Sequence, residues 1–73
     1  MGLRGNRELF FVLPVRGRVL ADLYTARGGR VARLMDGPAE AEENVRVLPD
    51  LPAGMYLLDF QNQGHRQALR FRR

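Results

Sequence analysis

Met55-Tyr56-Leu57-Leu58-Asp59-Phe60-Gln61, then Asn62-Gln63-Gly64 and His65, then Arg66-Gln67-Ala68-Leu69-Arg70-Phe71-Arg72: this stretch decides the fold. In the second run Leu69 and Phe71 alternate with Arg66, Ala68, Arg70 and Arg72, the period-two pattern of a strand with one face inward. The first run is apolar on both faces, which suits a strand covered on two sides or lying at a partner surface. Between them, Asn62 to Gly64 supplies the residues that let a chain reverse. The pair reads as an antiparallel hairpin.

Working back from that hairpin, the same grammar repeats. Strands are expected at 8–13, 18–25, 30–35, 44–48, 55–61 and 66–72, with turns at Pro14 and Gly17, Gly28-Gly29, Asp36-Gly37-Pro38, and Pro49 to Gly54. Val19, Ala21 and Leu23 share one face; Val45 and Val47 are expected inside, with Arg46 pointing away. Leu9 to Leu13 is again apolar on both faces. Residues 39–43 could make at most one helical turn. The expected fold class is all-β: a small Ig-like antiparallel β-sandwich of about six to seven strands, with a compact barrel as the other solution. Residues 1–7 read as a flexible N-terminal segment or linker remnant, and residues 8–73 as the sandwich.

The 73 residues hold one domain with a thin core, since a chain this short buries only about 60% of its unfolded surface. An apolar share of 45% is too high for a disordered tail. The formal charge is +4, and every basic side chain other than His65 is Arg. There is no Cys and no Ser, and the single Thr is Thr25, so Ser/His and Cys/His nucleophilic catalysis and Cys-based zinc sites are excluded. His65 has no second histidine beside it and reads as an exposed turn residue. Glu40, Glu42 and Glu43 read as a solvated acidic loop, not a catalytic dyad. Gly28-Gly29 lacks a following helix and is a turn, not a phosphate cradle. The chain is expected not to be an enzyme, and no cofactor is expected.

Two readings of the surface follow from charge. Arg66, Arg70 and Arg72 fall on one strand face and could contact phosphates with salt-dependent affinity. Phe71 faces the other way, and the remaining arginines are scattered, so a solvated edge that discourages unwanted strand pairing is the better reading and nucleic acid is an unlikely partner. The N-terminus does not read as a secretory signal, because the apolar run from Leu9 to Val15 contains Pro14 and no small-residue cleavage site follows. No run approaches the roughly 20 apolar residues of a membrane span, so membrane insertion is not expected. If the domain is exported, another part of a larger polypeptide would carry the signal.

Leu51-Pro52-Ala53-Gly54-Met55-Tyr56 resembles the Leu-x-Ala-Gly-x-Tyr signature of the C-terminal sorting domains used by the type IX secretion system of Bacteroidetes. Val19 to Tyr24, the Thr25–Gly29 turn and Arg30-Val31 are similar to that family's strand, Asp-x-x-Gly-Arg turn and strand, with Thr25 in place of Asp and Gly29 in place of Arg. Ala68-Leu69-Arg70-Phe71-Arg72-Arg73 is similar to the basic and apolar alternation that closes those domains. The hairpin pattern also resembles the Ig-like domain of flagellar hook-capping proteins and related modules appended to secreted bacterial enzymes, which implies as the alternative a purely structural appended module. The likeness covers residues 9–73, without the family's opening Asn-Pro motif.

The resemblance implies a non-catalytic module on a cargo protein that reaches the periplasm by a Sec signal. The folded domain would be recognised by the type IX translocon and carried to the cell surface, where a sortase-like peptidase joins cargo to lipopolysaccharide. Leu51, Ala53, Gly54, Tyr56 and Gly28 would shape the fold. Arg70, Phe71, Arg72 and Arg73 would meet the partner, with Phe71 and Leu69 anchoring the final strand and the arginines steering toward an acidic receptor.

Overall fold

Alternating apolar positions cut by Gly and Pro turns yield seven strands in the computed structural model, which describes residues 1–5 and 7–73. They are β1 (Gly2–Arg4), β2 (Glu8–Leu13), β3 (Gly17–Thr25), β4 (Arg30–Ala39), β5 (Glu42–Val47), β6 (Met55–Asn62) and β7 (His65–Arg72). Two antiparallel sheets result, ordered β1-β2-β5 and β4-β3-β6-β7. Relative to the constant-type immunoglobulin sandwich, the fourth strand joins the other sheet. The fold is the small β-sandwich expected from sequence.

The core lies between the sheets. Leu9, Phe11 and Leu13 of β2 face Val19, Ala21 and Leu23 of β3 and Tyr56, Leu58 and Phe60 of β6, with Phe71 closing one end. Phe11 and Phe60 meet with ring centroids 5.0 Å apart, a tilted contact between the two layers.

Four expectations change. Residues 2–4, placed in a flexible segment by sequence, form β1 and pair with β2; residue 6 of that segment lies outside the described residues. Gly2 sits opposite Phe10, where any Cβ would come within 2.8 Å of the ring, so glycine admits the aromatic side chain. Asp36-Gly37-Pro38, expected as a turn, continues β4 to Ala39; Pro38 is tolerated because β4 is an edge strand. Residues 39–43 make no helical turn: Ala39 ends β4, Glu42 opens β5 at φ 73°, and Asn44 donates to the Glu40 and Glu42 carbonyls to hold the corner.

The fourth change inverts a strand. On β5 the inward positions are Asn44, half-buried Arg46 and then Leu48, while Val45 and Val47 face out and Val47 is 74% exposed. The pairing of Phe10 with Val45 and of Glu8 with Val47 fixes this face. The corner made by Asn44 and the anchoring of Leu48 outweigh the preference of two valines for the interior.

Candidate recognition edge

Pro52 and Gly54 set the chain into β6, and Tyr56 locks the corner. Its hydroxyl donates to the Pro52 carbonyl at 2.7 Å while the ring is buried, the arrangement called a tyrosine corner in Ig-like sandwiches. Leu51 packs half-buried against the core, whereas Ala53 is exposed at the tip. The Tyr56 ring stacks on Phe71 at 5.8 Å and 27°. Gly54 and Arg73 exchange two backbone hydrogen bonds, Gly54 N–H to Arg73 O at 3.1 Å and Arg73 N–H to Gly54 O at 2.8 Å. The corner and the closing residues therefore form one rigid unit.

Of the four residues assigned to a partner, Phe71 lies in the core at 7% exposure and holds β7 down, the anchoring role also expected of it. Arg70 and Arg72 are exposed on the outward face, opposite Leu57 and Met55 of β6. Leu69 is half-buried on the inward face, as expected of an anchor. His65 is exposed at the start of β7.

The β3–β4 turn is held by hydrogen bonds within its own few residues. Gly28, at φ 93°, donates its N–H to the Thr25 carbonyl at 2.9 Å, and Gly29 N–H reaches the Thr25 hydroxyl at 3.3 Å. Thr25 thus caps the turn with a neutral oxygen.

The outer face of the four-stranded sheet carries a feature absent from the sequence reading. Asp22 and Asp59 lie directly opposite each other on β3 and β6, both buried at 4% and 5% exposure. Like charges so placed repel unless neutralised. Each is gripped by an arginine of the neighbouring edge strand: Arg33 Nε and Nη2 donate to Asp22 at 2.9 and 3.3 Å, and Arg66 Nε and Nη2 to Asp59 at 2.9 and 2.8 Å. The Arg66 fork holds the Asp59 carboxyl below the ordinary carboxylate range, against desolvation pushing it up. Arg33 and Arg66 are raised in turn, chiefly by these same hydrogen bonds.

A β-bulge makes this possible. Ala21 pairs with Met35 but Asp22 pairs with Arg33, so Leu34 is skipped and the guanidinium is re-aimed onto the carboxylate. A lone Asp within each of two apolar runs, where strands disfavour it, was the available sequence signal.

Beside this quartet the outer face sinks into a concavity of about 840 Å³. Tyr24, Met55, Leu57 and Ala68 give it apolar walls, with Arg66 and Arg70 on the β7 side. β7 is an edge of its sheet, so the site adjoins unpaired strand backbone. Among the described residues, no group of three or more His, Cys, Asp or Glu could hold a metal ion. Compared with family models, with curated proteins and with solved structures, the chain matches none.

Proposed function

We propose that this domain is a non-catalytic sorting and anchoring module, recognised while folded by the type IX secretion machinery and directing a fused cargo to the cell surface. The observation that carries the reading is the double hydrogen bond between Gly54 and Arg73. It joins the signature corner to the basic closing strand in one preformed surface, and a preformed surface lowers the ordering cost of recognition. Arg66 is committed to Asp59 and Phe71 to the core, which favours a protein partner at this edge over phosphates and stacked bases.

The test is a reporter with a Sec signal, fused ahead of this chain in a Bacteroidetes host that has a type IX system. The intact fusion is expected at the cell surface, and deletion of Ala68 to Arg73 is expected to abolish delivery. Because that deletion also removes a core aromatic, the double variant Arg70→Gln, Arg72→Gln serves as the folded comparison and should reduce delivery. An intact fusion retained in the periplasm would overturn sorting. Normal delivery of the double variant would overturn β7 as the recognised edge.

A further inference from the structure

On the outward face of β7 the row runs Arg66, Ala68, Arg70, a small residue between two long cations. The concavity opens above Ala68 and continues to Leu57, Tyr24 and Met55. We infer that it takes an extended segment of another protein, laid along the open edge of β7, with an acidic residue at Arg70 and a large apolar side chain over Ala68. The inference deepens the recognition edge proposed above and rests on it.

Three observations define that partner. The shape is one: an alanine between arginines leaves room for a side chain donated from outside, over an apolar floor that remains half-buried at Met55, Tyr24 and Leu57. Charge is the second: Asp59, the acid in the lining, is already neutralised by Arg66, while Arg70 is exposed and has no acidic partner among the described residues. Topology is the third. A strand added to β7 would stand side chains opposite its outward row at every second residue, about 6.6 Å apart. The matching pattern is therefore acidic-x-apolar. The apolar residue fills the hollow and the carboxylate meets a guanidinium.

A second copy of this chain offers a similar row, Glu43, Val45 and Val47 on the outer face of edge strand β5. Its Glu43 is already engaged with Arg4 at 3.0 Å, which favours a foreign segment over self-association.

The purified full chain is titrated into a fluorescein-labelled peptide of sequence Thr-Asp-Thr-Leu-Thr-Asp-Thr, whose pattern is the same in either strand direction, and anisotropy is read. Binding is expected, weakened about tenfold when Leu becomes Thr, as loss of a buried aliphatic side chain implies. Changing both Asp to Asn, or Arg70→Gln in the protein, should weaken it up to about fivefold, the range of an exposed ion pair. Ala68→Met should fill the hollow and erase the preference for Leu over Thr. If that variant misfolds by circular dichroism, the peptide series on the unaltered chain still decides. Equal affinity for all peptides, no binding at millimolar concentration, or light scattering that shows the chain pairing with itself in a way that Ala68→Met abolishes would each overturn the inference. The two proposals separate cleanly: a bound peptide with an unsorted reporter removes sorting alone. Undiminished sorting by Ala68→Met, together with no peptide binding, removes only the acidic-x-apolar partner.

Discussion

The Tyr56 hydroxyl is a single polar atom in a buried ring, and its bond to the Pro52 carbonyl fixes where β6 begins. Removing it leaves the ring's packing on Phe71 intact but strips the carbonyl of its partner. Tyr56→Phe is therefore expected to cost about 1–2 kcal/mol, read as a lower denaturant midpoint with an unchanged slope. A larger loss with a changed slope would mean that the corner organises more than its own hydrogen bond. Leu51, Gly54 and Tyr56 entered the sequence reading through a resemblance, and the structure gives each a physical place. Their requirements are local: a half-buried anchor, a small residue at a corner, a ring with a polar tip.

At the scale of elements, the decisive event is the clamping of both edge strands onto central carboxylates. Arg33 ties β4 to β3 through Asp22, and Arg66 ties β7 to β6 through Asp59. Because Asp59 titrates lower in the folded state than its unfolded value near 3.9, the native state binds fewer protons in the interval between the two. The stability it contributes is full above that unfolded value and is lost as pH falls through the folded one. Arg66→Met removes the fork and leaves desolvation, which raises the same carboxyl, with Asp22 still facing it across the sheet. The variant should be less stable than the parent near neutrality; its loss of stability below about pH 4 should flatten, and its stability should rise as pH falls from neutrality toward about 4. Thermal midpoints from about pH 2 to pH 7, followed by circular dichroism, check this; parallel curves for both proteins would exclude Asp59 as the source. None of this was readable from the run Met55 to Phe60 taken alone, because the Arg66 fork depends on the β6–β7 register and its counterpart at Arg33 on a bulge in β4.

The whole molecule is lopsided. One outer face carries the charge quartet and the hollow, while the other, on the three-stranded sheet, shows Val12 at 65% and Val47 at 74% exposure around half-buried Phe10. Arg4 crosses that ring at 4.8 Å to reach Glu43 and covers part of it. The exposed valines contribute little to folding, so Val12→Thr with Val47→Thr should move stability by no more than about 0.5 kcal/mol per site. The same pair should lower self-association at high concentration, measured by sedimentation, because the apolar patch shrinks while the β-branched shape is kept. A marked destabilisation would mean that this face is packed in solution.

What the sequence determined by itself was the succession of strands and turns, the all-β class and the inward faces of β3 and β7; β2 and β6, apolar on both sides, took their inward faces from the fold. The succession, the class and the faces of β3 and β7 follow from period-two alternation and from Gly and Pro, both of which act within a few residues. Tertiary structure alone decided that β1 exists, that β4 runs through a proline, that β5 turns its valines outward and that two aspartates are buried against arginines. Each of these is set by register between strands distant in sequence, and a shift of one residue in register exchanges the two faces of a strand.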